Sequence, residues 1–389
     1  LQTLHKPLHI FAIASILPNK YDSFIGDFIL RHNLAIARRH HVYLVCFIQD
    51  DRVNGIYTEV EHLNQLTIHR VYTNEKKINA FLYYSRILRI FKKARQEKPF
   101  DLVHAHIHWR AGAAAYLLHK VAGIPYVLTE HLGYLNQEIY PNELPKYPAL
   151  KSWLSKRAFE NALACMPVSN YLAKHISIFA PRANCRVVAN VVDTEAFCFQ
   201  ASQQGDKFVF VNIASASLFQ KNTMRMLDGI ALLMQRAQDF EVHIYIPENN
   251  EVRQRIKALK LDGIVLMKSF VPYEALPALL RQTHALLLYS IEETFSCVTA
   301  EAHCVGLPCV NINTTAPPEL CNAKNAILCD PLKPSSLADA MHEMMCNYSC
   351  FDRQAIASEA IARYNYDAIA EQITDVYVDV LNTVATGKR

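Results

Sequence analysis

A short β-branched run, a turn, then an amphipathic stretch of two to four turns: this unit recurs along the chain, in two series. The first series reads as strands at 8–16, 42–48, 66–72, 101–106, 125–129, 164–168 and 186–189. Helices are expected between them at 24–39, 79–97, 110–123, 149–163 and 169–179. The pattern restarts at 207, with strands at 207–213, 241–246, 264–267, 285–289, 308–312 and 326–329. Helices there fall at 221–237, 250–260, 273–282, 295–305, 335–347 and 350–363. Strands that alternate with helices wind parallel sheets through right-handed crossovers. The fold class expected is therefore α/β, with two doubly wound domains at 1–195 and 196–364. The joint falls within 190–206, where Gln203-Gln204-Gly205-Asp206 reads as a linker. A last helix at 365–389 follows the Tyr364-Asn365-Tyr366 break and either completes the first domain or packs on the second.

Composition removes several function classes. Lysine and arginine exceed aspartate and glutamate by only 4, too little to predict nucleic-acid binding. No apolar run approaches the ~18–20 residues of a membrane span. The apolar stretch Leu8 to Leu17 has the length of a signal-peptide core, but His9 interrupts it and no small-residue exit precedes Pro18. It reads as the first buried strand. Neither G-x-G-x-x-G nor a Walker loop occurs. Seven of the 11 cysteines follow residue 290, none in C-x-x-C, which reads as reduced core thiols rather than a zinc or disulfide frame.

In open α/β sheets ligands bind beyond the carboxyl ends of the strands, so polar residues just after strands are the candidates. Strand 285–289 is followed by Ser290-Ile291-Glu292-Glu293-Thr294-Phe295-Ser296 and an apolar helix. With that helix starting near Thr294, Glu293 lies in the loop and Glu301 two turns in, roughly 10–12 Å further along the axis. The N–H groups of Phe295, Ser296 and Cys297 then point between the two carboxylates, an arrangement that suits phosphate. Each carboxylate can accept from vicinal hydroxyls of a ribose or hexose. Ordinary helix punctuation explains Glu293 equally well; Glu301, inside the apolar VTAEAHCVGLP, is harder to explain that way. Lys221 opens the helix after strand 207–213, where the dipole disfavours a cation, which leaves a choice between a diphosphate partner and a snorkelling surface lysine.

In the first domain, alternation along Asp101 to His108 puts His104, His106 and His108 on one face. A metal comb there is disfavoured, because neighbours on one strand seldom close a tetrahedral site. His131, just past strand 125–129, should project into the crevice. The proline-bearing stretch 133–148 reads as a long substrate-facing loop. Tyr83 to Lys98 is basic and amphipathic, and packing on its own sheet is preferred over membrane contact.

These residues together resemble glycosyltransferase family 4, the retaining glycosyltransferases of GT-B fold. Glu293-Thr294-Phe295-Ser296 through Glu301-Ala302 to Gly306-Leu307-Pro308 is similar to the family's E-x7-E signature and its following G-x-P. Lys221-Asn222 matches the phosphate-binding lysine, and Thr129-Glu130-His131 the T-x-H segment. Pro18 through Gly26-Asp27-Phe28 resembles the loop after the first strand. Asn190-Val191-Val192-Asp193 with Phe197 resembles the hinge, and Ala316-Pro317-Pro318-Glu319 a later donor loop. The arginine that the family carries five or six residues before the lysine is Ala216 or Ser215 here, and Val191 replaces the hinge glycine.

The resemblance implies two Rossmann-like domains facing across a cleft. It implies transfer of a sugar from a nucleotide-diphosphate donor to a hydroxyl acceptor, a glycan or lipid-linked saccharide of cell-surface polysaccharide synthesis. The catalytic residues it implies are His131, Lys221 and Glu293. The donor contacts are Ser215, Lys221, Asn222, Glu293, Thr294, Phe295, Ser296 and Glu301, with Gly26 and Asp27 in the first-domain loop. No metal and no cofactor is expected. The expected location is cytoplasmic, with peripheral contact at the inner membrane face left open. A non-catalytic nucleotide-sugar binder, a nucleotide-sugar epimerase, a pyridoxal-phosphate phosphorylase and a glycoside hydrolase remain as alternatives.

Overall fold

The computed structural model describes residues 6–74, 80–137, 139, 149–201, 205, 207–213, 219–269 and 271–387. It divides into two compact units, Leu1–Val191 with Tyr366–Arg389, and Val192–Asn365. The expected linker residues Gln203, Gln204 and Asp206, the loop at 140–148, and Ser215 and Ala216 lie outside the described residues.

The first unit is a seven-stranded sheet in the order β3-β4-β2-β1-β5-β6-β7. Its centre is β1 (His9–Ala14), flanked in parallel by β2 (His41–Gln49) and β5 (Leu102–His106). Strand β6 (Tyr126–Glu130) and the short β7 (Cys165–Pro167) extend it on the β5 side. β1, β5 and β6 are buried on both faces, as the central strands of a sheet covered by helices must be. The signal-peptide-like stretch is thus the sheet's central strand.

One strand is absent from the sequence reading. Strand β3 (Ile56–Leu63) pairs antiparallel with β4 (Leu66–Thr73) through the two-residue turn Asn64-Gln65, Asn64 at φ 51°. It is an exposed edge that carries Glu59 and Glu61, so it lacks the buried apolar run by which its neighbours are recognised. Conversely, 186–189 forms no regular ladder. Arg186 and Val188 each give one backbone bond to β7, at 2.8 and 3.0 Å, and the run continues as irregular chain.

Helix α1 spans Asp27–Ala37 and α2 spans Ala80–Glu97. Tyr83, Ile87, Phe91 and Ala94 of α2 are buried, a helical stripe lying on the sheet, with Phe91 edge-on to Phe11. The last helix, α12 (Tyr366–Ala385), belongs to this unit. Its Ile369, Ile373, Tyr377 and Val380 enter the same core as β1 and β2, and Thr374 Oγ1 meets His40 Nε2 at 3.0 Å.

Among the described residues the second unit forms a six-stranded, wholly parallel sheet, with β9 (Phe240–Tyr245), β10 (Val265–Lys268) and β13 (Ala326–Cys329) in the order β10-β9-β8-β11-β12-β13. The strands that matter below are β8 (Phe208–Ile213), β11 (Ala285–Leu287) and β12 (Cys309–Ile312). The winding direction reverses between β8 and β11, which makes that pair the topological switch point. Among the described residues no helix is long and apolar enough to cross a membrane.

Candidate active site

The loops that follow β8 and β11 converge. Ile291 N–H donates to the Gln220 carbonyl at 2.8 Å, which ties the two loops together. Lys221 Nζ then reaches Glu293 Oε1 at 2.7 Å, and Ser290 Oγ donates to the same oxygen at 2.7 Å. The Lys221 and Glu293 side chains are 18% and 12% exposed, so the pair is largely shielded from solvent. The Ala316-Pro317-Pro318-Glu319 loop supports it from below. Glu293 N–H donates to Thr315 Oγ1, and Ala316 N–H to the Glu293 carbonyl, both at 3.2 Å.

Helix α9 spans Cys297–Cys304, shorter than the expected 295–305. Ser296 caps it in the left-handed region, φ 75° and ψ 73°. Glu301 therefore stands about one turn into the helix, not two, because Thr294, Phe295 and Ser296 turn the chain before helical geometry begins. The amides of Thr299 and Ala300 both donate to the Ser296 carbonyl at 3.2 Å. The amides of Phe295 to Val298 precede any intrahelical acceptor, as at every helix start. The Ser296 hydroxyl meets Thr299 Oγ1 at 2.7 Å. Glu301 is buried, and Tyr273 donates its hydroxyl to Oε1 at 3.2 Å. Tyr273 is a partner the sequence did not signal, since it lies on a short 3-10 turn with no motif around it.

Two other expected donor residues have structural duties as well. The Asn222 amide donates to the Pro331 carbonyl at 2.7 Å while its backbone, at φ 53°, opens helix α6 (Thr223–Met234). Phe295 is buried edge-on to Tyr364. Thr294 is half-buried beside them.

In the first unit, Gly26 opens α1 at φ 70°, and a Cβ there would lie 2.8 Å from the Ile16 carbonyl oxygen. Asp27 pairs with Arg31 at 2.7 Å. His131 is 4% exposed and sits in a chain of buried polar groups. Its Nδ1 meets Asn190 Oδ1 at 3.1 Å, its Nε2 meets His106 Nδ1 at 3.4 Å, and His106 Nε2 meets Asn33 Nδ2 at 3.0 Å. Asn33 can only donate through that nitrogen, so His106 accepts on Nε2 and donates from Nδ1. His131 then accepts on Nε2 and donates to Asn190. One polarity, with both imidazoles neutral, satisfies the chain.

His104 stacks on His106 at 4.2 Å and bridges Tyr377 and Thr129, while the His32 ring lies edge-on to His131 at 5.1 Å. Burial pushes His32 down to about 4 and His104 to about 3, and drives His106 and His131 well below the ordinary histidine range. The expected face of three histidines holds for His104 and His106 only. The backbone turns at Ile107, φ 75°, and sends His108 to Glu130, Nδ1 to Oε2 at 2.6 Å. Glu130 is fully buried and also accepts the amides of His108, His131 and Leu132. Burial alone would raise its carboxyl; the His108 charge and these hydrogen bonds hold it below the usual range instead.

Two family models match in succession: Glycosyltransferase Family 4 over residues 30–196, and Glycosyl transferases group 1 over residues 193–363. The chain belongs to glycosyltransferase family 4. Its fold class is GT-B, built of two Rossmann-like domains, and its activity is glycosyl transfer. N-acetyl-alpha-D-glucosaminyl L-malate synthase of Bacillus anthracis is 21% identical over 366 residues, 90% of this chain and 92% of that protein. Mannosylfructose-phosphate synthase of Agrobacterium fabrum is 23% identical over 327 residues, 74% and 70% of the two chains. Among solved structures, sucrose-phosphate synthase of Thermosynechococcus elongatus matches with a TM-score of 0.77 at 15% identity, over 97% of this chain and all of that one. Anabaena HepE, solved with UDP and glucose, matches with a TM-score of 0.72 at 15% identity over 96% and 100%.

Proposed function

We propose that this family 4 glycosyltransferase takes its sugar from a nucleotide-diphosphate donor and transfers it with retention to the hydroxyl of a glycan or lipid-linked saccharide. The observation that carries the reading is the Lys221–Glu293 pair at the switch point, with Glu301 one turn into the adjoining helix. A diphosphate entering there meets the Lys221 ammonium and the amides that begin α9. Lys221 then exchanges its carboxylate partner for phosphate oxygens. Glu293, relieved of that partner, accepts donor-sugar hydroxyls and stabilises positive charge at the anomeric carbon. Glu301 accepts the ribose hydroxyls, with Tyr273 fixing its rotamer. His131 is the first unit's candidate acceptor contact, and a ligand would reach it by displacing a partner of one of its two engaged ring nitrogens. The leaving phosphate oxygen takes the acceptor's proton, so the reaction asks no separate base of the protein. The matched family favours transfer over the epimerase, phosphorylase, hydrolase and non-catalytic alternatives.

The acceptor's place is the first unit. A polar cavity of about 310 Å³ opens beyond β1 and β2, lined by Ser15, Asn19, Asp22, Gln49, Asp50 and Arg110. A lipid-linked acceptor would bring the protein to a membrane. That extension is favoured by α2, which exposes Phe81 together with Arg89, Lys92, Lys93 and Arg95, a combination suited to an anionic bilayer. Sedimentation with phosphatidylglycerol vesicles, absent with phosphatidylcholine, is the expected outcome.

The primary test is a thermal-shift screen of nucleoside diphosphates and nucleotide sugars, followed by an assay of nucleoside-diphosphate release. One base should stabilise the protein in proportion to the logarithm of its concentration. No stabilisation by any diphosphate, together with no release from any donor, would end the proposal.

A further inference from the structure

Beneath α9 three soft ligands face one another inside the core. His303 is 1% exposed, Cys309 0% and Cys321 9%. Cys309 Sγ lies 3.8 Å from Cys321 Sγ and 3.4 Å from His303 Nε2, and the three ligand atoms all lie within 4.8 Å of one another. Zinc–sulfur bonds of about 2.3 Å and zinc–nitrogen bonds of about 2.0–2.1 Å set a tetrahedral sulfur–sulfur edge near 3.8 Å and a sulfur–nitrogen edge near 3.6 Å. The Cys309–Cys321 and Cys309–His303 separations match two of those edges to within about 0.2 Å, and the His303–Cys321 pair, within 4.8 Å, would close by up to about 1.2 Å on binding.

The surrounding groups fit as well. His303 hydrogen-bonds the Asn325 backbone, and an imidazole that ligates through Nε2 keeps its Nδ1–H for such an acceptor. Asn311 Nδ2 stands 3.9 Å from Cys309 Sγ and 3.7 Å from Cys321 Sγ. Its Oδ1 accepts the Ile312 amide at 2.8 Å, which fixes the side chain so that its N–H groups face the two sulfurs, as donors to a pair of thiolates would.

We propose that His303, Cys309 and Cys321 form a buried structural site for a thiophilic closed-shell cation, zinc(II), with the Asn311 amide donating to both thiolates. Binding takes two thiol protons: Zn2+ replaces the proton on each cysteine, the imidazole stays neutral, and two protons leave to solvent. The ion joins α9 to β12 and to the segment after Pro317–Glu319. From Asn311 the connection continues through Thr299 Oγ1 at 2.9 Å to the Ser296 hydroxyl, so the site braces the turn that opens α9. The inference stands apart from the proposed donor chemistry, since nothing in it requires a sugar.

The test uses the full chain, freed of any histidine tag and purified without chelator from zinc-sufficient medium. Elemental analysis should find about one zinc per chain, and exchange for cobalt(II) should give the near-ultraviolet sulfur-to-cobalt charge-transfer band of a two-thiolate site. Cys321→Ser should lower the zinc content to about a tenth or less and abolish the band. The exposed Cys346, whose Sγ lies 3.8 Å from His342 Nδ1, is a surface competitor. A double variant, Cys346→Ser with Cys350→Ser, should therefore keep its full zinc content. Three results would overturn the proposal: zinc-free wild-type protein that neither binds cobalt nor gains stability from added zinc; zinc lost in the double variant; or a mass deficit that marks a Cys309–Cys321 disulfide. The first two readouts use folded wild-type protein or surface substitutions, so a core variant that fails to fold leaves them intact.

Discussion

Lys221 and Glu293, separated by 72 positions, meet at 2.7 Å where the sheet of the second unit reverses its winding. Each is the other's partner in this structure, and the proposed function gives each a separate duty toward the donor. Lys221→Ala should therefore do more than delete a cation. It removes the diphosphate's counter-charge, and kcat/KM for transfer should fall by about 100- to 1000-fold, the usual cost of losing one leaving-group donor. Steady-state kinetics with the donor found by thermal shift checks the number. Loss of less than tenfold would move the diphosphate away from this lysine.

Glu293→Gln keeps the shape of the pair and removes its charge. If Glu293 acts on the sugar rather than merely on Lys221, the variant should bind the nucleoside diphosphate at least as tightly as the wild type, since Lys221 no longer has a competing carboxylate. Its kcat should fall by roughly 100-fold or more. Calorimetry and turnover, measured on the same preparation, separate the two effects. Diphosphate binding that weakens would show Glu293 to be a positioning group for Lys221.

Glu301→Ala removes hydroxyl acceptors from a buried wall beside Tyr273. Hydrogen bonds to a charged group contribute about 1.5–3 kcal/mol, so donor KM should rise by roughly 10- to 150-fold while kcat changes little. Tyr273→Phe should show a smaller rise in the same direction. Unchanged donor affinity in Glu301→Ala would remove this residue from the site.

How much of this was legible beforehand depends on the kind of signal. The parallel sheets were legible because buried strands such as Leu102–His106 and Ala285–Leu287 are short and apolar between periodic helices. Lys221 and Glu301 could be marked because each breaks a local rule, a cation at a helix start and a carboxylate in an apolar helix; Glu293, which helix punctuation also explains, stood out through its spacing from Glu301. Their motif then gave them one address. Strand β3 broke no rule and buried no run, so nothing distinguished it from a polar loop. His32 and Asn33 of α1, Asn190 and Tyr377 come from three separate parts of the chain, and only the folded chain shows that they share one cluster with His104, His106 and His131. The turn at Ser296 was illegible for another reason, because a serine with positive φ is set by its surroundings and not by its own preference.

The histidine cluster makes a pH prediction with a definite sign. All four rings have folded-state pKa values below the ordinary 6.5, because burial disfavours the charged form. Between the unfolded and folded values the unfolded chain binds more protons, so stability rises with pH and is lost on acidification. The loss should begin near pH 6.5, the unfolded value, and for His32 continue to about 4. Each histidine still neutral in the fold costs about 1.4 kcal/mol per pH unit over that window. Urea midpoints measured from pH 7.5 to 5 should fall steeply below 6.5. His104→Gln, which can still bond Tyr377 and Thr129, should flatten the slope. A flat profile in the wild type would mean that water reaches these rings.

Gly306 ends the run that begins at Glu293, and it is fixed by two demands at once. It sits at φ 75°, in the left-handed region, and a Cβ there would collide with the Arg353 carbonyl oxygen and lie 2.8 Å from the Phe199 ring. The Arg353 side chain donates from Nε to the Gly306 carbonyl at 3.1 Å, which favours the close approach of the two segments. Left-handed strain alone costs roughly 1–2 kcal/mol for a residue with a side chain, and the backbone overlap adds to it. Gly306→Ala should therefore destabilise the protein by about 2 kcal/mol or more, read as a lower urea midpoint. Gly263→Ala is the control, because it shares the positive φ, 85°, but its Cβ would meet nothing within 4 Å. The difference between the two variants isolates the collision from the strain. Equal losses would show that the approach of Arg353 to Gly306 relaxes without cost.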